Sequence, residues 1–185
     1  MGHANIPGYS GFLDVYDEAV DHFPSESVFV EVGVALGHSL AHLARRVIES
    51  KKKIEVWGVD PWEGNGRNGE QQEILGEKPT GDFPLFCRMM LEQAPEELEL
   101  VRIVRAPSWR AAMMFRRVHF VLIDGAHDEQ SVFDDIEEWY PKIARGGWIA
   151  GDDLSPKYQG VRAAVERVFG DNFEVRGTTW IVKKP

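Results

Sequence analysis

The sequence contains a single cysteine, Cys87, so an intramolecular disulfide is excluded. This scarcity favours a reducing, intracellular setting, and we therefore expect a cytoplasmic protein. No apolar run approaches the roughly 20 residues that a membrane-spanning helix needs. The opening residues, MGHANIPGYSG, lack the apolar core of a signal peptide. The sequence therefore predicts neither a membrane span nor a secretory leader.

Basic residues are also in short supply, since 21 Lys and Arg face 30 Asp and Glu and the formal net charge is −9. Nucleic-acid binding needs a basic face for phosphate contacts, and an anionic membrane surface repels an acidic chain. We therefore expect neither nucleic acid nor a membrane as a partner. Hydrophobic residues make up 43% of the 185 residues, enough for the core of one ordinary domain, which we place over 1–185.

Hydrophobic periodicity predicts strands that alternate with helices. Residues 1–27 form an N-terminal helix and lead-in, and residues 61–97 form an insertion on the substrate side. Such alternation predicts an α/β fold with a mainly parallel sheet and helices on both faces. The predicted strands cover 28–32, 54–59, 100–104, 118–123 and 146–151, the helices cover 12–23, 38–50, 131–143 and 160–170, and a terminal hairpin covers 173–184.

Ligands bind beyond the carboxyl ends of the strands in such sheets, so the residues that follow each strand are the candidates for a site. Glu31, Gly33, Gly37 and Ser39 accompany the end of the first strand. The two glycines are spaced Gly-x-x-x-Gly, which is not the G-x-G-x-x-G fingerprint of dinucleotide binding. Asp60 follows the second strand, where a carboxylate can accept hydrogen bonds from two ribose hydroxyls.

Polar residues follow the later strands as well. Ser108 and Trp109 follow the third strand, IDGAHD contains Asp124 and His127 after the fourth, and GGWIAGDDL places Asp152 and Asp153 after the fifth. Two adjacent carboxylates at the end of a buried strand are consistent with a metal site, with a catalytic pair or with a polar loop.

Together these segments resemble the class I S-adenosylmethionine-dependent methyltransferases. VFVEVGVALGHS is similar to their first motif, and VWGVDPW is similar to the segment with their ribose-binding acid. The resemblance implies a Rossmann-like three-layer sandwich, whose seven-stranded sheet is mostly parallel with the last strand antiparallel. It also implies S-adenosylmethionine as cofactor, bound by Glu31, Gly33, Gly37, Ser39, Asp60, Trp62, Ser108, Trp109 and Asp124, with Trp62, Ser108 and Trp109 near the adenine.

A narrower resemblance connects residues 123–154 to the metal-dependent O-methyltransferases of the catechol and macrocin types. It implies Mg²⁺ bound by Asp124, Asp152 and Asp153, in keeping with the preference of Mg²⁺ for oxygen ligands. Catechol-type enzymes carry a lysine base three residues after the first metal ligand, and macrocin-type enzymes carry an acid two residues after it. This sequence has His127 and Ala126 there, so we predict that His127 is the catalytic base beside Asp124.

Several alternatives stay open at this point. The same fold supports a metal-independent N- or O-methyltransferase, or a non-catalytic module for cofactor binding or assembly. The acids could cap a helix, and His127 could be a loop histidine. The segment 63–72 is either a surface loop or a lid over the acceptor. We expect the acceptor to be a small hydroxylated metabolite, sugar-like or phenolic, and a homodimer is left open.

Overall fold

A computed structural model describes residues 5–8, 11–63 and 83–185. The seven strands are β1 (Val28–Val32), β2 (Glu55–Val59), β3 (Val101–Val104), β4 (Val118–Ile123), β5 (Ile143–Gly151), β6 (Glu174–Arg176) and β7 (Thr179–Lys183). They form one sheet in the order β3-β2-β1-β4-β5-β7-β6. Strands β1 to β5 are parallel, and β7 is antiparallel to both β5 and β6. This sheet confirms the predicted fold class.

Seven α-helices lie before and between these strands in the described ranges. They are α1 (Leu13–His22), α2 (His38–Ser50), α3 (Phe83–Gln93), α4 (Pro95–Leu100), α5 (Ser108–Ala112), α6 (Glu129–Trp139) and α7 (Gln159–Phe169). No described helix has both the length and the apolar character needed to cross a membrane.

The central strands are apolar on both faces because helices cover the sheet on both sides. Phe29 and Phe120 belong to the hydrophobic core under α1, α2 and α3. Val30 and Val121 point to the opposite core, which α5, α6 and α7 cover. Burying one such side chain contributes about 1.5–3 kcal/mol, so the alternating positions stabilise a three-layer arrangement.

Trp139 and Trp148 both lie in the core. The exposed fraction is 0% for Trp139 and 3% for Trp148. In contrast, Ile48, which the periodicity places on the apolar stripe of α2, is 36% exposed. It lies in the last turn of that helix, close to the end of the buried interface.

The helix predicted over 131–143 is shifted in the structure. It begins earlier because the Asp128 carboxylate caps α6 by accepting a hydrogen bond from the Ser131 amide at 3.1 Å. It ends at Trp139 and gives way to a 3₁₀ turn that contains Pro141, a residue without an amide donor. Strand β5 then begins at Ile143, three residues before the predicted start.

The histidines at the start of α2 hold neighbouring segments. His38 Nδ1 lies 2.8 Å from the Ile6 carbonyl oxygen, and His42 Nε2 lies 2.9 Å from an oxygen of Asp17 on α1. These contacts favour a structural role for both residues, although their i and i+4 spacing also suits a metal pair. Most of the segment 63–72 lies outside the described residues, so its assignment as loop or lid stays a prediction.

Candidate active site

The loops after four neighbouring strands lie side by side at one edge of the sheet. Backbone hydrogen bonds continue past the strands: the amides of Gly33, Asp124 and Asp152 donate to the last carbonyls of β2, β1 and β4 at 2.9, 2.7 and 3.2 Å. The first residues after β1, β4 and β5 therefore form a continuous row. This edge is where the sequence predicted the functional residues.

Gly33 allows the β1 and β4 loops to touch. Its φ is +89°, and a Cβ there would lie 2.1 Å from the Asp124 carbonyl oxygen. Gly37 has a φ of +92° at the start of α2, and its Cβ would lie 2.8 Å from Met90 Sδ. Both positions therefore require glycine on two grounds, a left-handed backbone and close packing. Their role in binding the cofactor stays a prediction.

Glu31, on β1, is a fully buried carboxylate that is held on both sides. Tyr16 donates a hydrogen bond to Glu31 Oε2 at 2.6 Å, and Ser39 donates to Oε1 at 2.7 Å. Burial raises the pKa of Glu31 to about 7, while the two hydrogen bonds oppose that shift. Glu31 and Ser39, both predicted cofactor ligands, thus bond to each other and tie β1 to α2.

Sequence reasoning missed Tyr16 as the third member of this network. It lies on α1 with 0% exposure, and burial raises the pKa of its phenol well above the ordinary value, with the Glu31 charge adding to the shift. A tyrosine on the apolar face of a helix is the available signal, because a buried phenol needs a hydrogen-bond partner. That signal does not say which acid the partner is.

We predict that Glu31→Gln makes folding stability less dependent on pH. The folded carboxyl holds its proton up to about pH 7, whereas a glutamate in the unfolded chain releases it near the ordinary pKa of 4.5. The contribution of Glu31 to the free energy of unfolding is therefore lost as the pH rises from 4.5 to about 7. The stability difference between E31Q and the wild type should shift by about 3 kcal/mol in favour of E31Q between pH 5 and 8.

Urea unfolding at several pH values measures this difference. Glu49→Gln is the matched control, because Glu49 is an exposed carboxylate on α2 paired with Arg46. A constant difference between E31Q and the wild type across that pH range would contradict the prediction.

Asp60, after β2, organises the loop around the expected ribose position. Its Oδ2 accepts hydrogen bonds from the amides of Val34 and Ala35 at 2.9 and 3.0 Å, and its Oδ1 accepts one from the Trp62 amide at 2.6 Å. Burial raises its pKa, and these three hydrogen bonds oppose the shift. A carboxylate has about four acceptor positions, so capacity remains for a ribose hydroxyl.

Trp62 packs against other side chains in the structure, and its predicted place beside the adenine stays a prediction. Its side chain is 3% exposed, and its indole N–H donates to the Ala35 carbonyl oxygen at 2.8 Å. The ring lies 4.9 and 4.8 Å from those of Phe83 and Phe86, measured between centroids. Trp62 therefore joins α3 to the β1–α2 loop, because a large apolar ring gains more from burial than from exposure at a ligand edge.

Ser108 and Trp109 begin α5, directly beyond the carboxyl end of β3. The Ser108 hydroxyl accepts a hydrogen bond from the Trp139 indole N–H at 2.9 Å. Trp109 is 56% exposed, so its ring is open to solvent and can meet a ligand. The backbone amide of Asp60 donates to the last carbonyl of β3, so these residues and Asp60 lie on neighbouring loops.

The three acids predicted to bind metal lie on the adjoining β4 and β5 loops. Asp152 is buried, and its Oδ1 accepts hydrogen bonds from the hydroxyls of Thr178 and Thr179 at 2.7 and 3.2 Å. Asp153 has a φ of +61°, a conformation that aspartate tolerates better than most residues. The two adjacent carboxylates therefore face different surroundings.

His127 lies at the same edge and contacts Asp153. Its Nε2 is 2.6 Å from Asp153 Oδ2, and its ring centroid is 4.3 Å from that of Tyr158. Donor atoms of Asp124, His127 and Asp153 all lie within 4.8 Å of one another, and Asp152 stands outside this set among the described residues. His127 thus occupies the place in the cluster that was predicted for Asp152.

The surroundings of Asp124 suit a bound cation. Burial raises the pKa of Asp124 well above its ordinary value, and the negative charges of Asp152, Asp153 and Glu31 add to the shift. A divalent ion would offset this repulsion, and the donor set of two carboxylates and one imidazole fits such an ion. Carboxylates suit Mg²⁺ and Mn²⁺, whereas an imidazole ligand favours Mn²⁺ and later metals over Mg²⁺.

Solved structures of methyltransferases share this fold at low sequence identity. The calicheamicin methyltransferase CalS11 superposes with a TM-score of 0.71 at 14% identity, covering 92% of this chain and 76% of that chain. The O-methyltransferase NovP superposes with a TM-score of 0.69 at 18% identity, covering 94% of this chain and 79% of that chain. A putative caffeoyl-CoA O-methyltransferase from Staphylococcus aureus superposes with a TM-score of 0.66 at 14% identity, covering 98% of this chain and 87% of that chain. These likenesses define a Rossmann-like methyltransferase fold.

A family model described as a methyltransferase domain matches residues 30–154, which is more than half of the chain. The chain therefore belongs to this family of methyltransferase domains, and it is an enzyme that uses S-adenosylmethionine. The matched range begins on β1 and ends just after Asp153, so it includes the whole row of loops described above. A search of curated proteins found no match.

Proposed function

We propose that this enzyme transfers the methyl group of S-adenosylmethionine to a hydroxyl of a small metabolite, assisted by a divalent cation, with Mg²⁺ as the first candidate. The cluster of Asp124, His127 and Asp153 is the observation that carries the proposal. It adjoins the Gly33 turn, so a cation and a methyl donor at this edge would be neighbours.

The proposed cofactor position follows from the loops after β1 to β4. Gly33 and the amides at the start of α2 would face the methionine part, and the remaining acceptor position of Asp60 would take a ribose hydroxyl. Ser108 and Trp109 would face the adenine. Trp62 is left out of this set, since it lies in the core.

In the proposed reaction, Asp124 and Asp153 would hold the cation, which would place the acceptor oxygen near the methyl group. A bound divalent cation would supply a lower pKa for the acceptor hydroxyl. His127 accepts the proton of that hydroxyl, and Asp153 orients its imidazole. The C–O bond forms as the C–S bond of the sulfonium breaks, and the cofactor leaves as a neutral thioether.

The acceptor class is proposed from the named relatives. One of them is described as a TDP-rhamnose 3′-O-methyltransferase, with a TM-score of 0.64 at 17% identity, and another as a putative caffeoyl-CoA O-methyltransferase. We therefore propose a sugar-like or phenolic hydroxyl as the acceptor. The acidic net charge of −9 disfavours nucleic acid in this role.

Calorimetric titration tests the proposal without knowledge of the acceptor. S-adenosylhomocysteine should bind the metal-free protein saturably, and Mg²⁺ or Mn²⁺ should then bind the resulting complex, whereas the same titration of EDTA-treated His127→Ala distinguishes the two roles of His127. Tighter binding of Mn²⁺ than Mg²⁺ that His127→Ala removes would identify His127 as a ligand, whereas unchanged cation binding in that variant would leave it as the base. Absence of cation binding to the wild type would sink the metal-assisted proposal.

The 2.6 Å contact between His127 and Asp153 favours a second candidate, a metal-independent methyltransferase. A carboxylate that orients an imidazole is a common arrangement for a general base. Methyl transfer to hydroxylated sugars or catechols that is unchanged by EDTA, and that Asp153→Asn and His127→Ala both reduce, would support this candidate over the first.

A further inference from the structure

Positive charge is concentrated in one segment of this acidic protein. Residues 101–123, VRIVRAPSWRAAMMFRRVHFVLI, contain five arginines and neither an acid nor a lysine, although the whole chain has a net charge of −9. The segment forms β3, α5, the turn after α5 and β4. Helix α5 covers the face of the sheet opposite to α1 and α2, so the charge is displayed on that side of the molecule.

Three arginines of this segment are exposed and pair with no acid in the ranges that the structure describes. They are Arg110, Arg116 and Arg117, in α5 and the turn that follows it. In contrast, Arg102 of the same segment pairs with Glu55 at 2.7 Å. The charges of the three unpaired arginines are therefore available to a partner molecule.

Two adjacent methionines lie between these arginines in the chain. The exposed fractions of Met113 and Met114 are 73% and 60%. Protein–protein interfaces are enriched in methionine and arginine and depleted of lysine. Surfaces that bind anionic lipid use lysine as readily as arginine. The composition of this arginine–methionine surface (Arg110, Met113, Met114, Arg116 and Arg117) therefore favours a protein as its partner.

A complementary acidic surface lies on the neighbouring helix α6. The turn after α5 packs against that helix, with 5.4 Å between the ring centroids of Phe115 and Trp139. Glu137 and Glu138 precede Trp139, and both are exposed and pair with no basic residue in the described part of the chain. Opposite charges thus lie on neighbouring elements without joining each other within one copy.

Two-fold symmetry would bring these opposite charges together. An axis at the boundary between α5 and α6 places α5 of each copy against α6 of the other. The contact is then the same on both sides of the axis, and each set of arginines meets a set of glutamates. The exposed methionines lose their contact with water in the same contact.

We propose that the arginine–methionine surface is half of a homodimer interface, and that α6 of a second copy of this chain, with Glu137 and Glu138, covers it. Two copies with a net charge of −9 repel each other in most orientations, so local complementarity selects this one. A stable interface takes about 800 Å² from each partner, or roughly 20–30 residues, which is more than α5 and its turn contain. Helix α6 is therefore a required part of the contact. Dimerisation of this kind is independent of the methyl acceptor and of the cation.

A charge exchange between two variants tests the pairing. Sedimentation equilibrium at about 0.1 M NaCl should show a wild-type dimer with a dissociation constant of about 10 μM or tighter. Arg116→Glu with Arg117→Glu makes both surfaces acidic, and Glu137→Arg with Glu138→Arg makes both basic. Each double variant alone should dimerise at least about tenfold more weakly, because like charges then face each other. Their mixture should form a heterodimer within about threefold of the wild-type affinity, since both halves of the contact are complementary again.

Lys51→Glu with Lys53→Glu is the matched control. It changes the net charge as much as R116E/R117E does, but these exposed lysines follow α2, on the opposite side of the sheet. The control should keep the wild-type affinity. Circular dichroism of each variant verifies that it is folded, and formation of the heterodimer requires two folded chains.

Three results would overturn the homodimer. They are a wild type that stays monomeric at about 100 μM, wild-type affinity in either folded double variant, and a mixture that associates no more tightly than its components. A monomeric wild type that instead cosediments with phosphatidylserine vesicles, and that loses this binding in R116E/R117E, would assign the surface to lipid and likewise overturn it.

Discussion

Gly33→Ala is expected to abolish binding of S-adenosylhomocysteine and to destabilise the protein by more than about 3 kcal/mol. The added Cβ would lie 2.1 Å from the carbonyl oxygen and 2.4 Å from the carbonyl carbon of Asp124, and both are backbone atoms that no rotamer change can move. Either the β1 loop or the β4 loop must shift. Because Asp124 lies on the β4 loop, the same change should disturb the proposed cofactor turn and the proposed cation site together.

Gly146→Ala separates the clash from the backbone strain. Gly146 has a φ of +73°, similar to the +89° of Gly33, but nothing lies within 4 Å of its Cβ position. This control should lose only the roughly 1–2 kcal/mol of a left-handed non-glycine residue and keep its ligand binding. Urea unfolding and calorimetry on both variants give the comparison. The prediction would be contradicted if G33A were as stable as G146A and still bound S-adenosylhomocysteine, because the two loops would then adjust to the added Cβ at little cost.

Asp124→Asn is expected to remove divalent-cation binding and to lower methyl transfer by at least about 100-fold. Asparagine keeps the shape of the side chain but removes the negative charge on which both effects depend. The same change relieves repulsion from Asp152, Asp153 and Glu31, whose charges help to raise the pKa of Asp124. Without cation, D124N should therefore melt a few degrees above the wild type, about 2–4 °C for each kcal/mol gained.

The opposite signs of the two effects make this prediction specific. Changing a residue that only supports the fold lowers both the stability and the activity of the protein. Changing a residue whose charge is repelled in the site raises the stability and lowers the activity. Electron paramagnetic resonance of Mn²⁺ reports cation binding, and calorimetry reports the melting temperature. Asp134→Asn removes an exposed charge on α6 and should change neither. Retained Mn²⁺ binding in D124N would contradict the assignment of Asp124 as a ligand.

Local sequence was sufficient for most of the strands and for the row of loops. Strands that are apolar on both faces, such as β4, require helices on both sides of the sheet. In a parallel sheet all carboxyl ends lie at one edge, so Asp60, Asp124 and Asp153 had to lie along that same edge. The boundary of α6 was less secure, since its end depends on where Pro141 interrupts the backbone hydrogen bonds.

The hydrogen-bond partners of the polar side chains could not be predicted from patterns of neighbouring residues. Asp152 and Asp153 are adjacent in sequence and equally acidic, yet Asp152 bonds to two threonines of the terminal hairpin while Asp153 meets His127. The place of Trp62 after Asp60 suggests a ligand residue, but packing against Phe83 and Phe86 draws it into the core. Neither outcome has a signal in the neighbouring residues.

The sequence by itself determined the α/β sheet, the glycine turn after β1 and the acids at the strand ends, because periodicity and spacing act over a few residues. Only the tertiary structure decided which of these groups contact one another. Tyr16 contacts Glu31 across 15 residues of sequence, and Trp139 contacts Ser108 across 31. The first pair meets under α1 and α2 on one face of the sheet, and the second meets where α5 and α6 pack on the other face. Such contacts depend on packing in three dimensions, and they influence the protonation of the site. Patterns of neighbouring residues therefore cannot predict it.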